Sequence, residues 1–135
     1  MKTEFFMPMK PPTITHQQKK VKAVKGKPMF YEPSELKAAR AKLAAHLAKY
    51  IPAKKYTSAV RVTTKWCFPI TGKHTNGEYK YTAPDTHNLQ KLLFDVMEDL
   101  GYWDNDARVA SEITEKFWAD IPGIYILIEP LDGRS

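Results

Sequence analysis

The sequence predicts a small α/β protein, α+β by strict naming, built as one mixed β-sheet with two main helices packed on it. Three patterns predict this. Residues 58–68 alternate apolar and polar, residues from about 85 to 100 carry apolar side chains at helical spacing, and shorter strand-like runs stand at both ends of the chain. Residues 4–9 read as an opening strand, ended by Pro8, Pro11 and Pro12, because proline cannot donate to a sheet ladder. From Thr13 to Tyr31 no period holds, lysines are frequent and Gly26-Lys27-Pro28 interrupts the chain, so a basic loop is expected at about 13–31. Pro33 suits the first position of a helix. Leu36, Ala39, Leu43, Leu47 and Tyr50 mark the apolar face of that helix, and Pro52 stops it.

Val60, Val62, Thr64, Trp66 and Phe68 fall on one side of the next segment, with Arg61, Thr63 and Lys65 on the other. That is the pattern of a half-buried strand. Asn76-Gly77 is a tight-turn sequence, so residues 72–81 are expected to form a loop or small hairpin. A second helix starts at about Asp85, with Leu89, Leu92, Leu93, Val96, Met97 and Leu100 at helical spacing and Gly101 placed as its C-terminal cap. Residues 108–118 and 123–129 read as two closing strands. Pro122-Gly123 lies between them, which predicts an antiparallel hairpin.

At 135 residues the chain is expected to be one domain, 1–135, that buries roughly two-thirds of its unfolded surface. No apolar run approaches the roughly 20 residues that cross a bilayer, and MKTEFFMPMKPPT is too short and proline-interrupted for a signal peptide. A lone Cys67 cannot form an internal disulfide, so a reduced, cytoplasmic protein without membrane partners is expected. The net charge is +6. Lys2, Lys10, Lys19, Lys20, Lys22, Lys25 and Lys27 against Glu4 account for all of that excess within the first 30 residues. A basic segment on a neutral body points to a polyanionic partner, nucleic acid above all, with plain solubility as the alternative.

The chemistry concentrates between residues 84 and 106. Asp85 opens the second helix, His87 follows in its first turn, and Lys91 lies one turn further on nearly the same face. A helix N-terminus favours anions. Asp104 and Asp106 follow the helix, two apart, and in extended geometry they would point the same way. Asp85 could equally be a helix cap and Asp104-Asn105-Asp106 a turn. The helix is about 15 residues, or roughly 22 Å long, so its far end is remote from Asp85 unless a strand returns beside it. The strand from 108 would start at the wrong end. Spacing alone therefore does not assemble a metal site.

Residues 84–109 resemble the signature of the RusA-type Holliday junction resolvases. That pattern runs R-x-D-x-D-N-L-x-K, then a helix, then G-F-W-x-D-D-A-x-V. Here it reads Asp85-Thr86-His87-Asn88-Leu89-Gln90-Lys91, then Gly101-Tyr102-Trp103-Asp104-Asn105-Asp106-Ala107-Arg108-Val109. The resemblance extends loosely over nearly the whole chain. It implies a homodimeric, metal-dependent endonuclease, bacterial or phage-encoded, that binds branched DNA and nicks opposing strands of a four-way junction during recombination and repair. It implies catalytic roles for Asp85, His87, Lys91 and Asp106, with Asp85, His87 and Asp106 as metal ligands and Asp104 as a further candidate. Trp103 is expected to pack under the acidic turn and fix it.

Two departures stand out. Position 87 is His where the family usually has Asp, which weakens the case for Mg²⁺ and favours Mn²⁺ as cofactor. Thr82-Ala83-Pro84 stands where arginines often sit, so DNA binding is expected to fall to Lys73, Lys80 and the loop lysines Lys19, Lys20, Lys22, Lys25 and Lys27. The alternatives are a junction-binding protein without catalysis, or a nuclease for flaps or forks.

Overall fold

A computed structural model of the chain describes residues 1–14, 20–24, 27–31 and 34–132. Strand β1 (Thr3–Pro8) is followed by β2 (Lys20–Val24), β3 (Lys27–Tyr31), helix α1 (Ser34–Leu47), β4 (Val60–Pro69), α2 (Thr86–Leu100), β5 (Val109–Ala119) and β6 (Gly123–Pro130). Four strands form one mixed sheet in the order β1-β6-β4-β5, and β2 pairs with β3 in a separate two-stranded sheet. Among the described residues no helix is long and apolar enough to cross a membrane.

The ten-residue β4 is the spine of the sheet. Its alternating Val60, Val62, Thr64, Trp66 and Phe68 are all buried. They share an inner layer with Phe5 and Met7 of β1 and Ile124, Ile126 and Ile128 of β6. Leu36, Leu43 and Leu47 of α1 and Leu89, Leu92, Leu93, Val96 and Met97 of α2 join the same core. Burying an aliphatic side chain of this kind is worth about 1.5–3 kcal/mol before entropy is counted, so this core holds the two helices on the sheet. Phe5 stacks on Tyr50 at 4.3 Å, and the Tyr102 hydroxyl donates to the Leu47 carbonyl at 2.6 Å. The first contact ties the end of α1 to the sheet, and the second ties the end of α2 to the end of α1.

Two expectations are corrected. The closing strands do not form a hairpin, because β4 lies between them, paired in parallel with β5 and antiparallel with β6. Pro122-Gly123 reverses the chain, but a turn sequence does not choose a strand's hydrogen-bond partner. The crossover helix α2 makes the parallel β4–β5 pairing possible. Gly123 opens β6 because a Cβ there would meet the Phe6 ring and lie 2.6 Å from the Met7 carbonyl oxygen. The second correction concerns the basic segment. It is not a plain loop, since β2 and β3 pair antiparallel from Lys20↔Tyr31 to Val24↔Lys27. Lys20, Lys22 and Lys27 belong to that ribbon, whereas Lys19, Lys25 and Pro33 lie outside the described residues.

Candidate active site

Helix α2 has differently built ends, and the expected site residues divide between them. At the N-terminal end Asp85 is the helix cap. Its backbone is extended (φ −76°, ψ 139°) and its Oδ1 accepts the backbone N–H groups of His87 at 2.7 Å and Asn88 at 3.4 Å. The His87 N–H bond chiefly holds the Asp85 carboxyl below the usual carboxylate range. The His87 Nδ1 lies 3.5 Å from Asp85 Oδ1, and its ring is 95% exposed. Lys91 is exposed one turn along. Capping and a ligand role are compatible here, because the second carboxylate oxygen makes neither of these bonds.

The chain enters this end through a segment held by two lysines. Lys80 Nζ donates to Thr82 Oγ1 and the Ala83 carbonyl, both at 2.6 Å, and Lys116 Nζ donates to the carbonyls of Thr82 (2.6 Å) and Pro84 (2.7 Å). The Ala83–Pro84 peptide is cis. Lys80 is buried and its ammonium lies 4.6 Å from the centre of the Trp118 ring. Burial, with help from neighbouring Lys116, lowers the pKa of its ammonium. This corrects the expectation of Lys80 as a DNA contact: its donors are spent on the 82–84 segment. Lys73 remains exposed on the preceding loop.

At the C-terminal end Gly101 adopts the left-handed conformation (φ 88°), and the N–H groups of Gly101 and Tyr102 close the helix on the carbonyls of Glu98 and Met97. Trp103 is buried, edge-on to Phe94, and its indole Nε1 donates to Asp106 Oδ1 at 2.7 Å. The Asp106 N–H donates to Glu98 Oε1 at 2.6 Å. Tyr56 clamps the same segment through backbone bonds with Tyr102 (2.9 Å) and Asp104 (3.4 Å). Burial raises the pKa of the Asp106 carboxyl; the Trp103 bond lowers it, and the nearby charges of Glu98, Asp95 and Asp99 raise it further.

Asp104 and Asp106 are not turned to one point. Asp106 opens a short 3-10 turn (Asp106–Arg108) capped by Asn105. Asp104 is gripped by the Arg108 guanidinium at 2.7 and 3.1 Å, which lowers its pKa. An exposed carboxylate with both oxygens on an arginine is a poor candidate ligand.

Asp85 and the Glu98 that holds Asp106 are thirteen positions apart on one helix, on the order of 20 Å at 1.5 Å per residue. Among the described residues no group of three or more His, Cys, Asp or Glu side chains is placed to hold a metal ion. Asp85 and His87 fit as two donors toward a divalent ion, and Asp106 does not join them within one chain.

The neighbours of His87 carry no motif in the sequence. Thr86, His87, Gln90, Glu112 and Thr114 line a cleft between the first turn of α2 and β5. The available signal was Gln90 itself, a polar residue set between Leu89 and Leu92-Leu93 on an apolar helix.

The family model described as "Endodeoxyribonuclease RusA" matches residues 8–129. A relative named crossover junction endodeoxyribonuclease rusA, from Lactococcus phage r1t, is 32% identical over 111 residues, covering 81% of this chain and 83% of the relative. The family model runs from the last residue of β1 to the penultimate residue of β6 and spans both ends of α2, and the chain belongs to the RusA endodeoxyribonuclease family.

Proposed function

We propose that this protein is a metal-dependent endonuclease that resolves four-way DNA junctions by paired nicks in opposing strands, acting as a homodimer. The observation that carries the reading is the Trp103–Asp106 bond of 2.7 Å. A half-buried carboxylate is kept among three other acids at an energetic cost, and a buried indole fixes its direction. Such costs are characteristic of working sites. Asp85 and His87 would hold a divalent ion, which when bound polarises the scissile phosphodiester and acidifies a water. Lys91, one turn along, would offset charge that builds on the phosphate.

The roughly 20 Å of helix between Asp85 and the Glu98 that holds Asp106 favours a dimer in this reading. A second copy with its α2 running antiparallel would bring an Asp106 toward each Asp85–His87 pair, and two-fold symmetry matches a two-fold junction. The lysines at 19, 20, 22, 25 and 27, together with Lys73, would contact phosphates without reading sequence. Neutralising Lys19 and Lys20 together should reduce the salt slope of binding by up to about two.

The test is cleavage of a synthetic four-way junction by the wild type and by Asp106→Asn, in Mg²⁺ and in Mn²⁺. Paired nicks on opposing strands, abolished in the variant with binding retained, are expected, and Mn²⁺ should support the faster reaction because position 87 is His. The second reading, a junction-binding protein without catalysis, draws on that same His87. Tight binding with no cut in either metal would establish it. Cleavage of flaps or forks in preference to the junction would keep the chemistry and change the substrate.

A further inference from the structure

Helix α2 is apolar where it meets the sheet, apart from Gln90. Gln90 is 4% exposed. Its amide oxygen accepts from the Thr64 hydroxyl at 2.9 Å and from the Trp66 indole Nε1 at 3.4 Å. The indole N–H, which only donates, is shared between the Thr64 hydroxyl at 3.1 Å and this oxygen, so the oxygen faces β4 and the NH₂ faces away from it. The nitrogen of that NH₂ is buried and has no hydrogen-bond partner among the described residues. Native structures rarely leave such a donor unpaired, and each case calls for an explanation.

The explanation lies on the side the amide faces. Gln90 lines the cleft with Thr86, His87, Glu112 and Thr114, in a space of about 290 Å³. A water occupies about 30 Å³ in the liquid, so the space suits a larger group. The backbone donors of His87 and Asn88 are already taken by Asp85, which leaves side chains to receive an anion. Gln90, Thr86 and Thr114 offer neutral donors there. Lys91 stands on the helix beside the cleft, and Lys116 stands two residues beyond Thr114 on the same strand. Glu112 is the one acid in the lining. Its charge disfavours a dianion such as free phosphate more than a singly charged diester.

We propose that this cleft seats an oxygen of a DNA backbone phosphodiester, with the Gln90 amide as a fixed donor. The identity of the anion rests on the nuclease reading above. The role of Gln90 is positioning. The Thr64 hydroxyl holds its oxygen toward β4, which keeps the NH₂ directed away from the strand.

The test is nuclear magnetic resonance of the ¹⁵N-labelled full chain, following the Gln90 side-chain NH₂ pair, which is assigned by its loss in Gln90→Glu. Thymidylyl-thymidine should move these resonances saturably, inorganic phosphate less so, and the uncharged methylphosphonate analogue least. Gln90→Glu keeps an oxygen toward Thr64 and Trp66 but buries a carboxyl group, so its melting temperature should fall. Its binding to a four-way junction in EDTA should weaken roughly ten- to a hundredfold, the scale of a hydrogen bond to a charged group. Resonances unmoved by the dinucleotide would overturn the proposal. So would a shift produced by Glu112→Gln without any ligand, because Glu112 would then be the partner of the amide. If Gln90→Glu fails to fold, the pair is assigned by through-bond correlation to the Gln90 backbone, and the wild-type titration decides alone. Junction cleavage with a silent Gln90 amide sinks this inference and spares the nuclease reading. A responding amide with no cleavage does the reverse.

Discussion

The two ends of α2 hold the same kind of group in opposite conditions. Asp85 stands in solvent, caps the helix with two backbone bonds and has its pKa lowered. Asp106 is half-buried, fixed by an indole, surrounded by acids, and has its pKa raised. An aspartate at the first end is stabilising where it stands, so its presence needs no functional explanation. At the second end it is a liability that the fold maintains with Trp103, Glu98 and the Tyr56 clamp. Position alone therefore gives Asp85 no functional meaning, whereas the half-buried setting of Asp106, fixed by an indole, is what the proposed role would explain.

The largest effect should come from removing either carboxylate from the reaction. Asp85→Asn and Asp106→Asn should each lower junction cleavage by at least about a hundredfold with binding retained, measured by single-turnover nicking. A loss confined to one end would break the idea that both serve one chemistry. Next comes the support of the costly end. Trp103→Phe keeps a ring in the core but removes the indole donor, and should cost about 1–2 kcal/mol in urea unfolding. Its cleavage should fall more than its junction binding. Gly101→Ala forces a side chain into the left-handed cap (φ 88°) that sends the chain toward Asp106, and should cost about 1 kcal/mol. Asp85→Ala should cost a similar amount, about 1 kcal/mol, through the lost cap at the other end.

The smallest effect tests the comparison most directly. Because the folded state raises the Asp106 pKa, this group favours folding below the ordinary carboxylate range, and that contribution is lost as pH rises through the raised value. Asp106→Asn should thus stabilise the metal-free protein at neutral pH, by less than about 1 kcal/mol for a partly exposed charge, with the gain fading in acid. Asp85 has the opposite sign. Its lowered pKa contributes stability above the ordinary carboxylate range that is lost as pH falls through the lowered value. Melting curves in EDTA from acid to neutral pH should therefore show Asp85→Asn losing stability where Asp106→Asn gains it. Parallel curves would show that the two ends are alike after all.

Much of this molecule is set by interactions between residues close in sequence. The alternation from Val60 to Phe68 specified β4 and its buried face, and the spacing from Leu89 to Leu100 with Gly101 specified α2 and its cap. The motif residues from Asp85 to Val109 identified the family before any coordinate was needed. They could do so because periodicity, caps and motifs are local patterns. Tertiary structure decided the remainder. The turn at Pro122-Gly123 could not reveal that β4 would separate β5 from β6, since strand partners depend on pairing across the whole chain. A lysine in a loop gives no sign that it will be buried over Trp118, as Lys80 is. Helix length foretold that Asp85 and Asp106 stand apart. Only the fold showed that Asp106 is held at a cost, and that Gln90 turns an unpaired amide toward the cleft beside His87. Burial and hydrogen-bond satisfaction are properties of packed neighbours distant in sequence, so no local pattern encodes them.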